Sequence, residues 1–114
     1  MNKYNYNYRE AHVIVERKYN FFIIMRNRVV QLLIMKKLKE DNQVIVYEYI
    51  PQDKIENGKG KITVNKLDSK VIDYNLSKIE IEKNILDYRN KAFFAIRTFI
   101  ENKEFPENHL VAWY

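Results

Sequence analysis

Apolar and polar residues alternate with two different periods along this chain, and the change of period divides it. From Ile85 to Ile100 the sequence reads ILDYRNKAFFAIRTFI. Ile85, Tyr88, Ala92, Ile96 and Phe99 recur in steps of three and four, with Leu86, Phe93 and Ile100 beside them. That is one wide apolar face of a 3.6-residue period, and it predicts a helix that buries this face. Asp87, Arg89, Asn90, Lys91 and Arg97 fill most of the other side. Ser77 followed by Glu80 fits a capping box, and Asn84 is a second candidate for the helix start. Asn102 and Lys103 suit a last turn, and Pro106 forbids continuation.

Upstream the period drops to two. Ala11–Lys18 and Asn20–Arg26 are rich in β-branched and aromatic residues and predict two strands turning near Lys18, Tyr19 and Asn20; the competing reading is one helix from Arg9 to Met25, since FFIIM is apolar on all sides. Val29–Leu38 fits either a strand or a helix; its early valines favour a strand. Gln43–Ile50 predicts a strand with Ile45, Tyr47 and Tyr49 on one face and Val44, Val46, Glu48 and Ile50 on the other. Pro51 ends it. Gln52–Lys59 is a loop around Asn57-Gly58. Lys61–Lys66 and Lys70–Leu76 predict a hairpin turning at Leu67, Asp68 and Ser69. The tail from Phe105 to Tyr114 is too apolar to hang in solvent and is expected on the core or on a sheet edge. Together these elements predict one α+β domain over residues 1–114: an antiparallel sheet of about five to six strands with a long C-terminal helix packed on one face.

Composition adds limits. None of the 114 residues is Cys, which removes disulfide and thiol chemistry. The opening MNKYNYNY is not a signal peptide, and no apolar run reaches membrane-spanning length, so a cytoplasmic protein without membrane contact is expected. Tyr4, Tyr6 and Tyr8 alternate with asparagines and predict an edge strand or packed arm; a stacking platform for single-stranded nucleic acid is the sharper alternative.

Net charge is +5, and its placement is uneven. No acidic residue lies between Glu16 and Glu40, so Arg17, Lys18, Arg26, Arg28, Lys36, Lys37 and Lys39 give that segment +7 and leave −2 for the rest. A patch of one sign is a docking candidate, for an acidic protein surface or for phosphates. The bland alternative is a set of lysines that discourage edge pairing.

Candidate chemistry is sparse. His12 and His109 stand in no metal-ligand or triad spacing. His109 with a carboxylate such as Glu104 or Glu107 would make an acid-base pair, of a kind that any chain with 15 acidic residues offers. Gly58 and Gly60 beside lysines lack the spacing of a phosphate loop. No enzyme, cofactor or metal is expected.

The run GKITVNK, a short turn, KVIDY, a helix with Tyr88, Lys91 and Ala92, and then Phe105-Pro106-Glu107 resembles small bacterial proteins of the toxin-immunity type. The resemblance covers roughly the C-terminal half. It implies a small α+β domain that binds and blocks one toxin without catalysis. Nuclease immunity proteins are often acidic and this chain is basic, so the resemblance implies a toxin surface that is acidic or largely apolar, or a contact through the −2 part of the chain. The expected contact residues are then Arg17, Lys18, Arg26, Arg28, Lys36 and Lys37, with Tyr47 and Tyr49 as exposed anchors, since Tyr and Arg dominate binding hot spots. The alternatives are a small nucleic-acid-binding protein using residues 17–39 and a homodimer whose apolar strands complete each other's sheet.

Overall fold

The computed structural model describes residues 24–25, 28–29 and 30–113. A short hairpin opens it: β1 (Ile24–Met25) pairs with β2 (Arg28–Val29). The main sheet comprises β3 (Gln31–Glu40), β4 (Val44–Pro51), β5 (Gly60–Asn65), β6 (Val71–Asn75) and β7 (Asn108–Trp113). It is antiparallel throughout, in the order β6-β5-β4-β3-β7. Two helices stand between β6 and β7: α1 (Lys78–Lys83) and α2 (Asp87–Asn102).

The α+β architecture and the antiparallel sheet agree with the sequence pattern, and among the described residues the main sheet has five strands. The ambiguous segment is the strand β3, and residues 43–50 keep the predicted faces: Ile45, Tyr47 and Tyr49 are buried, their neighbours half-buried. The tail joins the sheet as β7, beside β3. Two expectations change. The long helix is not the last element, because β7 follows it. Asn84 does not start that helix; it closes α1 in the left-handed conformation (φ 56°), where a short polar side chain is tolerated. The predicted strand Ala11–Lys18, its turn, and the N-terminal tyrosines lie outside the described residues.

One face of the sheet carries the core. Leu33 and Met35 of β3, Ile45, Tyr47 and Tyr49 of β4, and Ile62 and Val64 of β5 meet Tyr88, Ala92, Ile96 and Phe99 of α2. The four helix residues are spaced by four, four and three, so a single stripe reaches the sheet. Ala92 and Ile96 are fully buried, and small Ala92 lets the helix approach closely. Phe99 packs against Tyr47 with ring centroids 5.5 Å apart. Each such apolar side chain withdrawn from water contributes about 1.5–3 kcal/mol.

Tyrosine hydroxyls tie this core to the connections around it. Tyr47 donates to the Pro106 carbonyl at 2.6 Å, fixing the segment between α2 and β7. Tyr49 reaches the start of α1 through Glu80 at 2.7 Å. Burial pushes both phenols well above their ordinary range, and Tyr88 also upward.

Candidate functional site

The predicted basic patch does not assemble as one surface among the described residues. Lys36 is exposed on the face away from α2, opposite Glu48 of β4 and Asn108 of β7. Lys37 points to the other face. Its ammonium bonds Glu40 at 2.9 Å, Glu107 at 3.2 Å and the Phe105 carbonyl at 3.0 Å. The Glu40 hydrogen bond, with help from Glu107, holds the Lys37 pKa above its ordinary value despite some opposing burial. Glu40 is depressed in turn, chiefly by Lys37 and then by Lys66. Lys39 lies 3.9 Å from Asp41. Lys37 therefore pins the tail to β3. Arg17, Lys18 and Arg26 lie outside the described residues, and of Arg28 only its backbone in β2 is described.

Tyr47 and Tyr49, expected as exposed anchors, are fully buried. The expectation fails because their face of β4 is the one α2 covers. A tyrosine in an alternating strand reads the same whether its face is wet or dry. The exposed counterpart is Tyr74 on β6, which in the sequence is one residue of an ordinary hairpin. Its ring lies 4.7 Å under the Arg89 guanidinium, a cation–π contact between the two residue types most favoured in hot spots.

The geometry around Tyr74 follows from register. Among the described residues β6 is an edge strand, and all five of its residues are exposed. Tyr74 lies opposite Ile62 and Val71 opposite Val64, on the side of the sheet that carries α2. A register shift between Thr63 and Val64 leaves Ile72 as an extra residue at a bulge, 55% exposed. Leu86, just before α2, is also exposed. Val71 and Tyr74 are thus exposed apolar side chains on one side of this strand, with Arg89 over the Tyr74 ring and Asp73 between them in sequence.

Arg89 is held at this edge by its backbone. Its N–H donates to Glu80 Oε2 at 2.7 Å, and its guanidinium donates to Asn90 Oδ1 at 2.7 Å. Glu80 is itself fully buried. Its Oε1 accepts from the Ser77 N–H at 3.2 Å, the Ser77 hydroxyl at 2.9 Å and the Tyr49 hydroxyl at 2.7 Å. One carboxylate therefore serves the first turns of α1 and α2 together, where helix N–H groups lack partners of their own. The capping box is as the sequence suggests; its link to α2 and the sheet is not visible there.

A second surface lies at the opposite edge. Two adjoining recesses of about 310 and 580 Å³ run between α2 and β7 and share Thr98, Phe99 and His109. Phe94, 64% exposed, stands at the lip. His109 packs edge-on against Phe99 at 4.9 Å. Glu104 lines the same recess as His109, and Glu107 is instead engaged by Lys37.

Among the described residues no group of three or more His, Asp or Glu is placed to hold a metal ion. No described helix is long and apolar enough to cross a membrane. Comparisons with protein-family models, curated proteins and solved structures find no match to this chain.

Proposed function

We propose that this chain is a protein-binding module of the immunity type, which binds a cognate toxin through the β6 edge and blocks it without performing a reaction. The observation that supports this most is the Tyr74–Arg89 stack on a strand whose five residues are all exposed. An edge strand offers backbone groups for an added strand, and the aromatic and guanidinium beside it offer an anchor. The partner it fits presents an extended segment with apolar side chains and a carboxylate opposite Arg89. The rival reading, phosphate binding by residues 17–39, is weakened by the ion pairs that occupy Lys37 and Lys39.

The experiment is a capture of partners from the native host with the tagged chain, washed at low and then high salt. One stoichiometric protein that survives high salt, and is lost from Tyr74→Ala and Arg89→Ala, supports the proposal. Arg89→Ala keeps the backbone N–H that Glu80 uses, so the fold is spared. Nucleic acid that elutes with salt, at a steep slope, sinks it. So does a protein partner that both variants retain.

A further inference from the structure

We infer that the β7 edge is a homodimer interface, in which a second copy adds its own β7 antiparallel to the first. This would join two five-stranded sheets into one. The inference is independent of the proposed toxin contact, which uses the other edge.

The backbone of β7 is arranged for it. Lys37 N–H donates to the Glu107 carbonyl at 2.8 Å, and the register pairs Lys36 with Asn108. In an antiparallel ladder this makes Lys36 and Asn108 a non-hydrogen-bonded pair. The backbones of His109 and Val111 then face β3, and those of Asn108, Leu110 and Ala112 face outward. Among the described residues no strand lies beyond β7.

The occupant is argued from the polarity of the recess above this edge. At one end Lys91 lies over the Trp113 ring at 5.1 Å. At the other end Phe99 meets His109 at 4.9 Å, with Glu104 lining the same space. α2 therefore runs antiparallel to β7, and Phe94 and Ala95 stand level with Val111. A two-fold axis through Val111, perpendicular to the sheet, maps the cationic end of one copy onto the acidic end of the other. Lys91 of each copy then approaches Glu104 of its partner. Trp113 of each, held by its own Tyr88 and Lys91, comes beside His109 of the other, since position 113 falls opposite position 109 in that register. The two Phe94 side chains meet near the axis and leave water. A surface that complements itself under a two-fold is what an isologous dimer requires.

Sedimentation equilibrium of the full chain is the test, with the emission of Trp113, the single tryptophan, followed on dilution. A dimer is expected, with Trp113 emission moving to the red as it dissociates. Ala112→Pro deletes an outward N–H without touching the ladder to β3, and an edge strand accepts proline there. With one hydrogen bond lost from each copy, Kd should rise about ten- to thirtyfold. Phe94→Glu should raise it as well, at a position too exposed to threaten folding. Lys91→Glu and Glu104→Lys should each weaken the dimer, and the double exchange should restore it. A folded monomer at all concentrations overturns the inference, as does a dimer that Ala112→Pro and Phe94→Glu leave unchanged. Weakening by both charge variants without recovery in the double exchange also overturns it.

Discussion

The Tyr49 hydroxyl donates to Glu80 Oε1 at 2.7 Å across 31 positions of sequence, and both side chains are fully buried. That one bond joins the central strand of the sheet to a carboxylate on which the first turns of both helices converge. Its removal should be felt in proportion to what is left unpaired.

Tyr49→Phe should lower unfolding free energy by about 1–2 kcal/mol, because Glu80 Oε1 keeps the Ser77 donors. Glu80→Gln should cost more, about 2–3 kcal/mol, since one arm of the amide must point a donor at the Ser77 or Arg89 N–H. Urea unfolding of both variants reads the order. A Glu80→Gln protein as stable as the wild type would show that the carboxylate does not join the two helices.

Gly60 lies opposite Tyr49 in the register, and the tyrosine ring covers it. A Cβ at Gly60 would fall on the ring carbon and hydroxyl of Tyr49. The glycine is needed for close approach, not for an unusual backbone angle. Gly60→Ala should destabilise by about 1–3 kcal/mol. In a Tyr49→Ala background most of that cost should vanish, because the colliding ring is gone. A double-mutant cycle measures this coupling, and strict additivity would refute it.

Burial raises the pKa of Tyr47, Tyr49 and Tyr88. The folded protein therefore keeps these protons at a pH where the unfolded chain, with tyrosines near about 10, releases them. Above that value the unfolded state binds fewer protons, so stability is intact below about pH 10 and falls as pH rises further. Tyrosinate absorbance should show a late step that coincides with loss of the circular dichroism signal. Ionisation of these three before any unfolding would contradict their burial.

The existence of two faces on β4 was legible because residues 43–50 alternate cleanly, and the buried side of α2 because its stripe repeats at three and four, but not which face of β4 the helix covers. β3 was harder. Its stretch LLIMKKL is nearly continuous in apolar and long side chains, and such a run fits either element. The pairing with β4 and β7 resolves it. β6 was legible as a strand but not as an edge, because KVIDYNL does not say on which side a neighbour is missing. For the same reason nothing local marks Tyr74 as exposed or Tyr47 and Tyr49 as buried.

The sequence alone determined the local choices: the helix at Tyr88–Phe99, the stop before Pro106, the capping pair Ser77 and Glu80, and the two faces of β4. Each depends on side chains a few residues apart, so period and spacing suffice. Only the tertiary structure decided which face of β4 is dry, which strands form the edges, and that Lys37 spends its charge on Glu40 and Glu107 while Tyr74 meets Arg89. Those outcomes depend on pairings across tens of residues. Burial there is set by whichever element arrives from elsewhere in the chain, and a strand's own residues carry no record of its neighbour.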